Sequence, residues 1–185
     1  MSPAPHETHP AVNLTPAVLA AVPVLKTDRL TLRAPQISDF DALAEIFETR
    51  WPEEGDMQDR EDAWYELAQM CATWVLRGHG WWAVEMDGLV GFTGIGFEPG
   101  DREHELGYMV TAEAEGKGIA FEAASAAKTW AQGKVPSLVS YIHLSNTRSK
   151  ALAERLGAIR DRAAETKILA EDDEEIFVMR HWGTS

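Results

Sequence analysis

Between Gly80 and Ala131 the apolar residues change period, from every second residue to every third or fourth, and the change falls on the Gly-rich turn Glu115-Gly116-Lys117-Gly118-Ile119-Ala120. Trp82, Val84 and Met86 alternate as in a half-buried strand, Asp87-Gly88 is a hairpin signal, and Leu89 to Phe97 continues as an apolar strand. Pro99-Gly100-Asp101 turns the chain into a third strand, His104 to Val110. The expected product is a three-strand antiparallel meander at the centre of a sheet. Beyond the Gly-rich turn, Ala120, Ala123, Ala124, Ala127, Trp130 and Ala131 make a helical face whose small residues allow close packing on that sheet.

The flanks extend the same alternation of elements. Leu30, Leu32 and Ala34 read as a strand ended by Pro35, which cannot donate to a ladder. Ser38-Asp39-Phe40-Asp41 has the form of a capping box, predicting an amphipathic helix from Ser38 to about Arg50. After a polar break from Pro52 to Gly55, Trp64, Leu67, Ala68, Cys71 and Val75 mark a second helix, closed by Gly78. Leu138 to Leu144 reads as a strand and Thr147 to Leu156 as a helix stopping at Gly157. Two final strands are expected at Ala158 to Leu169 and Ile176 to Trp182, separated by an acidic exposed turn from Ala170 to Glu175. Residues 1–24, rich in Ala and Pro, read as an N-terminal arm, and 25–185 as a single domain of the α/β (α+β) class.

Charge narrows the partners. Seventeen basic against 30 acidic residues give a net charge of −13, which argues against a nonspecific nucleic-acid binder and fits an amine or cationic substrate better. The lone Cys71 excludes an intramolecular disulfide and a Cys-clustered zinc site. The six His residues show no ligand-like spacing, so no metal is expected. The opening MSPAPHETHP has no basic stretch followed by an apolar core, and no run approaches the ~18 apolar residues of a membrane span. A cytoplasmic location without membrane contact is expected.

A Gly-rich turn leaving a strand and opening a helix is a phosphate-binding arrangement. Gly116 and Gly118 let backbone N–H groups approach an anion, the helix start adds a favourable dipole, and Lys117 adds a charge. The plainer reading is a tight helix entry. Two other phosphate motifs fail here: no Ser or Thr follows Gly-Lys as in a Walker loop, and Gly94-Ile95-Gly96 runs into Pro99 where a dinucleotide fingerprint needs a third Gly.

Glu105-Leu106-Gly107-Tyr108-Met109-Val110, followed by Gly116-Lys117-Gly118-Ile119-Ala120-Phe121-Glu122-Ala123, resembles the signature region of the GNAT superfamily of N-acetyltransferases. Asn146-Thr147-Arg148-Ser149 and Leu156-Gly157-Ala158 are similar to the Asn-x-x-Ser helix and Leu-Gly-aromatic ending of the branch that acetylates ribosomal-protein N-termini. The resemblance covers roughly Thr27 to Trp182. It implies a mixed, mostly antiparallel sheet of six to seven strands with helices on both faces, acetyl-CoA as cosubstrate, an amine acceptor, and a homodimer as one assembly. It implies further that the strand before the loop splays from its neighbour and pairs its exposed backbone, here Met109 and Val110, with the pantetheine arm. Loop N–H groups from Gly116 through Lys117, Gly118 and Ile119 to Ala120 would hold the pyrophosphate, with Asn146 and Ser149 facing the pantetheine. Asn146 also reads as a helix N-cap, and the two roles are compatible.

Three positions depart from the family pattern. Glu115 stands where much of the superfamily has Gln or Arg, and is expected to point outward; Ala158 replaces the common aromatic; Ala153 stands where many members have a Tyr able to protonate the departing thiolate. No side-chain acid is assigned. Glu105 corresponds to a strand position where some members place a catalytic Glu and is the candidate general base, acting through water; the alternative is a surface or structural ion pair. His104 is the neighbouring alternative, but adjacent strand residues face opposite sides, so the two are not expected in one site. The implied reaction is direct attack of a primary amine, of a protein N-terminus or a small molecule, on acetyl-CoA in a ternary complex. The rival is a non-catalytic CoA-binding sensor or interaction module, and a second rival uses a longer acyl donor. Trp51, beside Glu53, Glu54 and Asp56, is a candidate wall of the acceptor site, while Trp64 and Cys71 read as packing.

Overall fold

Alternation at the start of the chain yields two short strands, β1 (Leu25–Lys26) and β2 (Thr31–Arg33), and the meander yields β3 (Trp81–Glu85), β4 (Leu89–Gly96) and β5 (Glu105–Val110). β6 (Leu138–His143), β7 (Ile159–Arg160) and β8 (Ile176–Trp182) complete an eight-stranded sheet in the order β1-β2-β3-β4-β5-β6-β8-β7. Every pairing is antiparallel except β5 with β6. The helices are α1 (Phe40–Arg50), α2 (Arg60–Arg77), α3 (Ile119–Ala131), α4 (Thr147–Arg155) and α5 (Arg162–Asp172). This is a computed structural model that describes residues 20–50, 60–173 and 175–183; nearly all of the expected arm, and the Trp51 segment, lie outside those residues. The mixed, mostly antiparallel sheet agrees with expectation, the additional strands being two-residue pairs at its margins.

The period-two pattern sorts the two faces. Trp82, Val84, Ile95, Leu106 and Val110 meet Ile119, Ala123, Ala124, Ala127 and Ala131 of α3 in one core. Ala83, Phe92 and Met109, from the opposite pleat, pack against Leu43, Phe47, Leu67 and Met70 of α1 and α2. α4 covers Ile142 and Met179, and α5 covers Val139 and Val178. Trp74, Trp82 and Trp130 pack edge to face with centroids 4.7 to 5.4 Å apart, the first two buried and Trp130 partly so. Trp64, expected as packing, is 40% exposed and meets Phe40 edge to face at 5.7 Å.

Two expectations are corrected. The capping box lies two residues earlier than Ser38: Gln36 is the N-cap of a 3₁₀ turn, and the buried Asp39 accepts its N–H at 2.8 Å while holding Arg33 bidentately at 2.7 and 2.8 Å. Pairing with Arg33 and a backbone N–H offsets the cost of burying the Asp39 carboxylate, whereas Asp41 stays exposed. The expected strand from Ala158 to Leu169 is only Ile159–Arg160 followed by α5, and that helix also takes up part of the supposed acidic turn. Asp161 caps α5 by accepting the Ala164 N–H at 3.0 Å, and Ile168 on the inward face packs on Val139 and Val178.

Candidate functional site

Parallel pairing between β5 and β6 survives at a single position, Glu105 opposite Val139, after which the strands part. The opening leads into a cleft of about 850 Å³ bounded by β5, the Gly-rich turn, the first turn of α3, and α4. It is lined by Met109, Val110, Gly116, Gly118, Ile119, Ala120, Asn146 and Ser149, so eight of the nine residues expected at the cofactor come together around one space. Lys117 is the exception, and its carbonyl instead accepts Arg29 Nη1 at 3.1 Å.

Ladder phase decides which backbone groups face the opening. The Thr111 N–H donates to Val90 O at 3.0 Å, and Met109 stands opposite Phe92. Alternation in an antiparallel ladder then turns the N–H and C=O of Gly107 and Met109 toward β4, and those of Tyr108 and Val110 toward the open edge. Met109, expected to offer its backbone to the cofactor, instead pairs that backbone with β4 and packs its side chain on the α1–α2 face, bordering the cleft. Tyr108 takes its place on the edge, and its hydroxyl bridges to α4, 2.9 Å from Ser149 Oγ and 3.0 Å from Ser149 O.

The turn is shaped for an anion. Gly116 and Gly118 adopt φ of 71° and 75°, left-handed conformations that other residues reach only at a cost. A Cβ on Gly116 would meet nothing within 4 Å, and one on Gly118 only Arg29 at 3.7 Å. The N-terminus of α3 has no side-chain cap, whereas α4 is capped by Asn146, which accepts the Ser149 N–H at 3.0 Å, and α5 by Asp161. The first N–H groups of α3 therefore stay available at the cleft, with the helix dipole behind them. Arg29 braces the turn from outside: its Nε donates to Glu122 at 2.7 Å and its backbone N–H at 3.0 Å, beside the Thr27 hydroxyl at 2.5 Å. Burial alone would raise the Glu122 carboxyl; these hydrogen bonds outweigh it and hold it below its ordinary range.

Glu115 is only partly outward. It accepts Arg148 Nη1 at 2.7 Å, an ion pair across the cleft mouth from turn to α4. Arg155 lies over the Phe121 ring at 4.5 Å on the same wall. Ala153 is wholly buried against Ile142 and Met179 and lines no part of the cleft.

Glu105 lies outside the cleft lining, at the apex where the strands part and on the α1–α2 face. Burial pushes its carboxyl up to about 7 although the Tyr141 N–H donates to it, and Asp101, Glu98 and Glu66 add to the rise. Burial likewise lifts Glu66 to about 7, with Glu98 adding to it. Four carboxylates thus gather on this side. The Trp81 indole bounds the same face: a Cβ on Gly107 would come within 2.3 Å of it. Among the described residues no helix is long and apolar enough to cross a membrane, and no group of His, Cys, Asp or Glu is placed to hold a metal. Neither Tyr108 nor Arg29 was expected as a site residue. Tyr108 was signalled only by its place in the strand motif, and Arg29, remote in sequence from the turn, by nothing local.

Residues 29–159 match the sequence model of the Acetyltransferase (GNAT) domain family. Among solved structures, an acetyltransferase from Agrobacterium tumefaciens str. C58 is 33% identical with a TM-score of 0.77, over 87% of this chain and 95% of that one. RimL, a ribosomal L7/L12 α-N-protein acetyltransferase in complex with coenzyme A, is 19% identical with a TM-score of 0.60, over 75% and 85%. The microcin C7 self-immunity acetyltransferase MccE, in complex with acetyl-CoA and AMP, is 18% identical with a TM-score of 0.58, over 73% and 81%. The last two are likenesses of fold.

Proposed function

The chain belongs to the GNAT acetyltransferase family, whose activity is acetyl-CoA-dependent acyl transfer, and from that premise we propose that it acetylates a primary amine by direct attack in a ternary complex. The observation that carries this reading is the parting of β5 from β6 beyond Glu105, with the cleft on one side of it and the carboxylates on the other. In this reading the N–H groups of Gly116 to Ala120 and the α3 dipole hold the pyrophosphate. The open-edge groups of Tyr108 and Val110 pair with the pantetheine arm, and Asn146 and Ser149 face it from α4.

The Tyr108 N–H, the first edge donor beyond the apex, polarises the thioester carbonyl, so positioning and a fixed dipole lower the barrier. The amine nitrogen attacks the carbonyl carbon, the C–N bond forms and the C–S bond breaks. Glu105 takes the amine proton, directly or through water, and the departing sulfur takes one from solvent. A carboxyl lifted to about 7 is well matched to this task near neutral pH. The surrounding Glu66, Glu98 and Asp101 favour approach of a cationic amine, either a protein N-terminus or a small molecule.

Thiol release from acetyl-CoA over a panel of primary amines and N-terminal peptides tests the proposal. Turnover with at least one amine is expected, with Glu105→Gln losing activity by about 10²-fold or more. Calorimetric binding of acetyl-CoA with no thiol release from any acceptor would establish the sensor reading instead, and a marked preference for a longer acyl-CoA would overturn the donor.

A further inference from the structure

Where β5 and β6 part, the next rung of a parallel ladder would run from the Tyr141 N–H to the Leu106 carbonyl. The register stops short of it, and side chains satisfy both groups: the Glu105 carboxylate accepts the Tyr141 N–H, and the Ser140 hydroxyl donates to Leu106 O at 2.8 Å. Ser140 is buried, and behind it His181 of β8 brings Nε2 to 3.2 Å from the hydroxyl. His181 reaches this place through a bulge. Leu138 pairs with Trp182 and Val139 with Arg180, so His181 is the extra residue of β8, and bulges re-aim side chains in this way.

The donor direction follows from counting protons. A serine hydroxyl has one, and here it is spent on Leu106, so His181 Nε2 must carry the proton it gives to Ser140. Nδ1 is then a bare lone pair, and it is the single buried side-chain N or O atom without a partner among the described residues. An orphaned acceptor is better tolerated than an orphaned N–H, so the same tautomer is selected twice. Burial, with Lys128 adding to it, holds the imidazole down at about 4, and the chain that runs from the His181 N–H through the Ser140 hydroxyl to the accepting Leu106 carbonyl keeps one direction across neutral pH.

We propose that His181 is a positioning residue for acyl transfer: through Ser140 it fixes the Leu106 carbonyl at the apex, and so sets where the Tyr108 N–H, two residues along the strand, meets the thioester. The inference rests on the reading of the site as an acetyl-CoA cleft. Its test compares His181→Leu, His181→Gln, whose amide can donate from about where Nε2 stands, and Ser140→Ala. The readouts are kcat, the calorimetric Kd for acetyl-CoA, and the backbone amide shifts of Leu106 to Tyr108.

His181→Leu is expected to lower kcat by about tenfold or more, since small misplacements at a reacting centre are costly, while Kd stays within about twofold and the Tyr108 amide moves. His181→Gln should restore both kcat and the amide position. A wild-type kcat in His181→Leu overturns the proposal, as does a Gln variant as impaired as the Leu one, or a kcat loss matched by an equal rise in Kd. Should His181→Leu fail to fold, the contrast of an impaired Ser140→Ala with an active His181→Gln decides in favour, and its absence decides against. Should the wild-type protein turn over no amine, the functional reading falls, yet displacement of the Tyr108 amide in Ser140→Ala with retention in His181→Gln still supports the relay, and unmoved amides refute it.

Discussion

Replacing Glu105 by Gln should strengthen the fold at alkaline pH while removing the proposed base. Burial first, then Asp101, Glu98 and Glu66, lifts this carboxyl from its ordinary 4.5 to about 7. Between those values the folded chain keeps a proton that the unfolded chain has released, so stability falls as pH rises. The penalty is absent below the lower value and complete above the upper one. At about 1.4 kcal/mol per pH unit, the gap from 4.5 to about 7 sets an upper bound near 3.5 kcal/mol. Gln carries no charge and still offers a carbonyl oxygen to the Tyr141 N–H. Urea or thermal unfolding of the free protein, at about pH 4 and about pH 8, should find the two proteins alike at the lower pH. At the higher pH the variant should be more stable by up to about 3.5 kcal/mol, a rise in Tm of roughly 7–14 °C for a chain of this length. Equal stabilities at both pH values, or a less stable variant at the higher one, would refute the environment assigned to Glu105.

Gly107→Ala places a methyl 2.3 Å from the Trp81 ring and is expected to cost about 1–3 kcal/mol in urea unfolding; an unchanged midpoint would show that Trp81 does not hold this position. Glu115→Gln removes a negative charge beside the expected pyrophosphate and releases Arg148 from its 2.7 Å ion pair. Acetyl-CoA affinity should rise by about three- to tenfold at low salt and the gain should fade at high salt; weaker binding would mean that the ion pair itself builds the site. In acetyl transfer, kcat/KM should climb with pH up to about 7 as Glu105 loses its proton, and a limb of the same position in Glu105→Gln would assign it to another group.

Local chemistry carried much of this architecture. The meander, the Asp87-Gly88 hairpin, the Ala-rich face of α3 and the Gly157 stop are all set by neighbours in sequence, and each lies where the pattern places it. α5 does not stand out locally from a strand because Ala163, Ala164, Ile168 and Leu169 are compatible with either period. The deciding signal was Asp161, which holds the Ala164 N–H. The cleft was legible as a motif, yet the assignment of edge groups to Tyr108 and Val110 depends on register with β4, which no local pattern states. Ser140 and His181 lie 41 residues apart, and their meeting depends on a bulge in β8. Arg29 reaches Lys117 O across 88 positions. Such contacts follow from topology rather than from propensity.

If acetyl-CoA lies along the open edge of β5 with its pyrophosphate at the α3 N-terminus, backbone amide shifts during titration with acetyl-CoA report it residue by residue. Saturable shifts are expected at Tyr108, Val110 and Gly116 to Phe121, with smaller ones at Asn146 to Leu152 and little change at Phe92 and Thr93 on the paired side. Absence of saturable binding at millimolar acetyl-CoA, or shifts centred away from the β5 edge and this turn, would contradict it.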